Sequence, residues 1–303
     1  MDTFLAALFS GTARGAIFAL VALGLVIVWR GAGIVNFAQM GQAMFSTYIA
    51  STLIANGNSY WVGFVVALLA GALLGAVLDI CVMRPLSNKK KTELLSSESM
   101  RAAVPVIASL GILGVLQALA GIIWAAEERG FPAPFKQEGF NIAGSIMPFT
   151  AFDIFVISLV LVALVITTLF FTQTGMGLAM RATALNQEVA KLSGIRTNHT
   201  RTLSWAISGA ASSLAGLLIT PTSNLSPNTL DLVLIVGFTA AVVGGLDSPA
   251  GAVLGGLILG MVISFVTFYT SPENVFLAIL AVLLLVLIIR PRGILGSKDV
   301  RRV

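Results

Sequence analysis

The chain has 303 residues, 57% of them hydrophobic and only 10% charged, with a formal net charge of +5. A soluble domain carries about 25% charged residues, so this composition, with a mean hydropathy of +0.97, excludes an ordinary soluble fold. The basic residues are scattered in short clusters, which excludes a basic nucleic-acid-binding domain, and the single cysteine, Cys81, excludes an intrachain disulfide and reads as a small buried apolar residue.

A membrane crossing needs about 20 apolar residues. The first candidate runs over 4–29 and contains Arg14. Its long apolar run, after an acidic Asp2 and without a basic start, argues against a cleaved signal. Gly31, Ala32 and Gly33 interrupt it, and a second helix is expected over 34–55, closed by the turn residues Asn56, Gly57 and Asn58. A third covers 61–83 and stops at Arg84 and Pro85. After a lysine-rich stretch comes a fourth, 102–125, then a long loop over 126–151 with Pro132, Pro134 and Pro148. The fifth covers 152–171, the sixth 202–220, the seventh 230–246, the eighth 250–269 and the ninth 275–289. The expected fold is all-α: a polytopic membrane protein of about eight or nine transmembrane helices, some interrupted, with an internal repeat, in a single transmembrane domain over 1–303. The 31–41 and 247–251 regions are where a segment could be re-entrant. Thirty glycines suit close helix packing in lipid.

Charge sets the orientation. Lys and Arg collect on the cytoplasmic side of short loops. Placing Arg30, the 84–101 loop, the 173–201 loop and the tail inside accounts for 15 of the 18 Lys and Arg residues. Only Arg14, Arg129 and Lys136 remain. Nine crossings with the N-terminus outside and the C-terminus in the cytoplasm satisfy the pattern.

The polar connector is the most informative stretch outside the bilayer. Gly175 and Gly177 loosen the exit from the fifth helix. Met180, Ala184, Leu185, Val189 and Leu192 fall near helical spacing, Arg181, Gln187, Glu188 and Lys191 point elsewhere, and Gly194 is placed to end the helix. Such a short amphipathic helix either lies on the membrane surface or docks in a groove of a soluble partner.

Charges within spans are functional candidates. Asp79 lies five residues before Arg84, an imperfect helical spacing, so a partner on another helix is equally expected; its place near the cytoplasmic end favours a structural role. Asp231 and Asp247 read as helix-start residues. Arg14 has no obvious partner. Asn36, Gln39 and Thr239 are uncharged polar residues beside or within interrupted spans; they either hydrogen-bond a passing solute or fasten helices together. His199 is the only histidine, and no catalytic triad, zinc motif or nucleotide-binding glycine loop occurs, so no catalytic residue, metal ligand or cofactor is assigned.

Four segments, in order, carry a resemblance: ALGLVIVWRGAGIVNFAQMGQ (22–42), RATALNQEVAKLSGI (181–195), GFTAAVVGGLDSPAGAVLGGLILG (237–260) and RPRGILG (290–296). Together they resemble the branched-chain amino-acid permeases of ATP-binding-cassette importers, in particular the shorter of the two permease types. Departures are Gln39-Met40, where members commonly have His-Gly, and Trp29-Arg30, where many have Tyr-Gly. The resemblance implies a multi-pass permease of the bacterial cytoplasmic membrane. It also implies two cytoplasmic ATPases that use the ATP, a second related permease and an extracytoplasmic solute-binding protein. Residues 173–201 become the cytoplasmic coupling loop, with Leu185, Val189, Leu192 and Ile195 as apolar contact, Arg181, Glu188 and Lys191 as polar rim and Gly194 as its end. Relatives carry urea, amides or other small organic solutes on the same machinery. A stand-alone secondary transporter or channel, or an intramembrane enzyme, are the readings from other classes.

Overall fold

The computed structural model describes residues 2–86, 98–142 and 145–296. Its helices are α1 (Asp2–Ala32), α2 (Gln39–Ala55), α3 (Tyr60–Leu78), α4 (Glu98–Trp124), α5 (Ala151–Gln173), α6 (Gly175–Leu185), α7 (Gln187–Leu192), α8 (Thr197–Ser223), α9 (Asp231–Gly244), α10 (Pro249–Tyr269) and α11 (Val275–Ile289). Helix α3 runs on through a π-turn, Asp79–Met83, and one last turn, Arg84–Leu86. Every expected span is helical. Seven are long and apolar enough to cross a bilayer by length and composition. The other two are shorter than expected: α2 has 17 residues and α9 has 14. At about 1.5 Å per residue neither covers a core of about 30 Å unaided. The shortfall has one cause in both, a break in the backbone at 33–38 before α2 and at 245–248 after α9. Gly33 (φ +70°) and Gly245 (φ +108°) open these breaks in a backbone region that favours glycine.

Two further differences arise outside the spans. The expected loop over 126–151 contains a two-stranded antiparallel hairpin, β1 (Gly139–Ile142) with β2 (Ser145–Thr150). The single amphipathic helix expected in the connector is two helices, α6 and α7, parted at Asn186, whose extended backbone (φ −159°, ψ 109°) stops one and caps the other.

The chain forms two compact units. One comprises 27–132 and 165–234. Its core is α2, α3 and α8. Gly71 and Gly75 of α3 lie against α8 so closely that a methyl group on either would strike the backbone of Gly209 or Trp205. Trp205 itself packs with Val28 and Met83 in a fully buried cluster. Helix α4 closes on α2, where Leu113 and Leu116 cover Gly41. At the far end Trp124 stacks on Tyr48 (5.1 Å) and donates to Thr52 (2.7 Å).

The other unit comprises 1–26, 133–164 and 235–303. Its core is backbone on backbone. Gly11, Gly15 and Ala19 of α1 meet Met261, Gly260, Leu257 and Gly256 of α10, and Ala240 and Gly244 of α9 meet Gly255 and Gly251 of α10. After α11 the chain folds back. Ile294 N donates to Val243 O (2.8 Å) and Leu295 N to Gly244 O (3.0 Å), so the tail satisfies carbonyls left open at the end of α9. Ser248, not Asp247, caps α10, accepting from Gly251 N (3.0 Å).

Large apolar side chains face outward along the spans. Leu69 and Leu73 on α3, Val165 and Ile166 on α5 and Ile288 on α11 are all more than half exposed, as lipid contact requires. Cys81, expected inside, is exposed. Asp79 and Met83 continue inward the buried row of Ala67, Gly71 and Gly75, and Ile80 and Cys81 lie on the outer face.

Candidate functional site

The connector between α5 and α8 presents apolar side chains where only polar ones would be stable in water. Leu185 is 83% exposed, Leu192 89% and Val189 56%. The expected apolar ridge is divided. Met180 turns inward and is buried, while Ala184, Leu185, Val189 and Leu192 turn outward with Glu188 and Lys191 beside them; Ala190, outside the ridge, is buried, and Arg181 and Ile195 are half-buried. The local frame is well capped. Thr174 accepts from Gly177 N (3.0 Å) at the start of α6. Asn186 Oδ1 accepts from Glu188 N (3.0 Å) and Val189 N (3.1 Å) at the start of α7. Gly194 (φ +84°) ends α7: its N–H donates to Lys191 O (3.0 Å) and that of Ile195 to Ala190 O (3.0 Å). This is a Schellman cap, which fixes the angle at which the chain enters α8.

The first turns of α8 are held by a buried ionic cluster. Asp79 is fully buried on the π-turn of α3, where the backbone N–H of Arg84 donates to the Asp79 carbonyl five residues earlier. That geometry aligns Arg84 with Asp79: Arg84 Nε donates to Oδ2 at 3.2 Å. Arg201 Nε of α8 lies 2.8 Å from Oδ1 as an ion pair, without hydrogen-bond alignment. Thr202 Oγ1 donates to Oδ2 (2.5 Å), and Arg84 donates to Asn198 O (2.9 Å) and to the Thr202 hydroxyl. Both partners anticipated for Asp79, one on its own helix and one on another, are therefore present.

Further along, α2 and α8 meet along a polar seam. Ser208 Oγ donates to Gln39 Oε1 (3.2 Å) and Ser46 Oγ to Ser213 Oγ (2.7 Å). Asn36, in the break before α2, is fully buried with neither amide atom hydrogen-bonded, and Gln42 is in the same position. The neighbouring backbone is anchored to α4, where Phe37 N donates to Ser109 Oγ (3.3 Å). The structure thus brings Asn36 and Gln39 together within one unit. Thr239 is buried on α9 in the other unit. Asp231, at the start of α9, also ties that end to α4 by accepting from Gln117 Nε2 (2.8 Å).

Among the described residues no group of His, Cys, Asp or Glu could hold a metal ion. The features that stand out are an exposed apolar edge on the connector, a buried ionic cluster at the start of α8 and helices broken by uncharged segments. A sequence profile of the family described as "Branched-chain amino acid transport system / permease component" matches residues 7–288. The chain belongs to this family.

The permease is 30% identical to the high-affinity branched-chain amino acid transport system permease protein LivH of Escherichia coli (strain K12), over 99% of this chain and 98% of LivH. It is 29% identical to BraD of Pseudomonas aeruginosa, a protein of the same description, with the same coverage. One solved structure, PsaBC from Streptococcus pneumoniae in complex with Fab, overlays with a TM-score of 0.46 at 14% identity, covering 96% of this chain and 91% of that one. The fold rests on the elements above, not on that likeness.

Sequence reading passed over Gln42, Ser46 and the α8 serines. The signal was available: Ser204, Ser208 and Ser212 recur every four residues on one face of a helix, and Ser208 of that row meets Gln39.

Proposed function

We propose that this permease is one membrane subunit of an ATP-driven importer of branched-chain amino acids. The observation that carries this is the family match over 7–288. The chain would work in the cytoplasmic membrane of a bacterium, N-terminus outside and C-terminus inside, beside a second related permease. Two cytoplasmic ATPases would supply hydrolysis, and an extracytoplasmic solute-binding protein would deliver the solute.

In this reading α6 and α7 couple the permease to one ATPase. Leu185, Val189, Leu192 and Ile195 enter an apolar groove, Arg181, Glu188 and Lys191 form its rim, and Gly194 fixes the exit angle. The exposure of Leu185 and Leu192 supports it: a free surface would hold them at a cost that a groove removes. Because the Schellman cap leads directly into α8, and Asp79 holds α8 to α3, a push on α7 would move α8 and α3 as one body. Asn36, Gln39 and Thr239 are the pathway candidates, in helices broken where free backbone groups can face a solute.

The test is to change Leu185 and Val189 together to Asp in the chromosomal copy and purify through this chain. The proposal expects the ATPase to be lost from the complex and uptake to stop, with the permease still in the membrane. ATPase retained with normal uptake would remove the coupling assignment.

A further inference from the structure

Arg14 is a charge inside a span that the importer reading leaves without a role. It sits in α1, where every other residue from Ala13 to Val28 is buried, yet Arg14 itself is exposed. Among the described residues it has no ion-pair or hydrogen-bond partner.

Its depth can be measured against α10. That helix has 21 residues, and at about 1.5 Å each they match a hydrocarbon core of about 30 Å. A Cβ on Gly11 would lie 3.1 Å from the Cα of Met261, and one on Gly15 would lie 3.0 Å from the Cα of Leu257. Arg14 is therefore level with the stretch between Leu257 and Met261, the middle of α10. Each membrane surface is then about 15 Å away, too far for the side chain to snorkel. Helix α1 has no carboxylate after Asp2, and α10 and α11 have none at all. One further helix of this unit, α5, carries a carboxylate, Asp153, which accepts from Thr150 N and Oγ1 (both 2.8 Å) at the start of its own helix.

An arginine at the midplane that faces lipid is costly, and such residues mark solute pathways. The burial pattern agrees, because a lipid-facing stripe would expose Ile17 and Phe18 one turn on, and both are buried. We propose that Arg14 opens onto the solute path at the bilayer midplane and binds the carboxylate of the passing amino acid. The planar guanidinium suits a two-point grip on a carboxylate, and it offsets that charge where water is scarcest. The contact implies a solute that bears a carboxylate, which favours amino acids over urea or simple amides. It rests on the importer reading above.

The experiment uses the complete importer, purified through this chain and reconstituted with its binding protein, with L-leucine as probe. First, an Arg14→Cys variant in a Cys81→Ser background is treated with a membrane-impermeant thiol reagent during ATP turnover. Labelling is expected, and its absence overturns the proposal. Second, Arg14→Gln should lower leucine uptake about tenfold, the order expected for one charge-assisted hydrogen bond, while Arg14→Lys keeps most of it. Both should retain bound ATPase, stimulation by the loaded binding protein and thermal stability. Unchanged uptake in Arg14→Gln overturns the proposal. So does loss of assembly or of melting temperature, which would mark a fixed ion pair with another subunit. A wild-type chain that brings down no ATPase overturns the importer reading itself, and this inference with it.

Discussion

The two units solve helix packing in lipid by different means. In the α2–α3–α8 unit, polar groups do much of the joining: the Asp79 cluster at one end, then Gln39 with Ser208, then Ser46 with Ser213. In the α1–α9–α10 unit the joining is backbone contact, glycine against glycine or alanine. Lipid tails are as apolar as leucine, so burying leucine gives no net drive to associate there; hydrogen bonds and close dispersion contact are what remain. The polar unit concentrates its stability in a few bonds and also leaves Asn36 and Gln42 unpaired. The glycine unit spreads its stability along a whole face. The connector joins the polar unit, where one clamp can carry a push.

The largest expected effect breaks the clamp. Asp79→Ala would leave Arg201 buried without its counter-ion and free the π-turn, at a cost of about 3–5 kcal/mol. It should show as a large fall in melting temperature in detergent, and a loss below about 1 kcal/mol would demote the cluster to decoration. The next effect tests the glycine seam. Gly256→Ala places a methyl against the backbone of Ala19, which cannot turn aside, and should cost about 1–3 kcal/mol. An unchanged melting temperature would mean that α1 and α10 are not in contact in the membrane. The smallest effect is of opposite sign. Gln42→Leu removes a buried amide without partners, so stability should hold or rise slightly. A fall of more than about 1 kcal/mol would mean that Gln42 is a fastener like its neighbours.

Much of this architecture was legible in the sequence because lipid demands long apolar runs. The nine expected spans are helical where those runs lie, and the backbone breaks at 33–38, within 31–41, and at 245–248, which overlaps 247–251. What escaped has definite causes. The break at Asn186 was hidden because a continuous helical spacing of apolar residues says nothing about a side chain that caps the next turn. The π-turn was hidden because it changes the period itself. A five-residue spacing looks wrong for a helix, yet it is what joins Asp79 to Arg84. Cys81 was misplaced because residue type says nothing of facing: it lies midway between the inward Asp79 and Met83 and so falls on the outer side. In the candidate site, Leu185, Val189 and Leu192 were legible as a ridge, but their outward turn, away from Met180, needed the tertiary fold. The seam of Gln42 and the serines needed two helices to be set side by side.

The central claim is that this chain conducts a solute only as part of an ATP-driven complex. Reconstituting it in liposomes, alone and with the subunits that co-purify, and measuring leucine uptake from the loaded binding protein tests that directly. The account predicts uptake that requires ATP, the ATPase subunits and the binding protein together, and none by the chain alone. Uptake by the isolated chain, driven by an ion gradient without ATP, would contradict it.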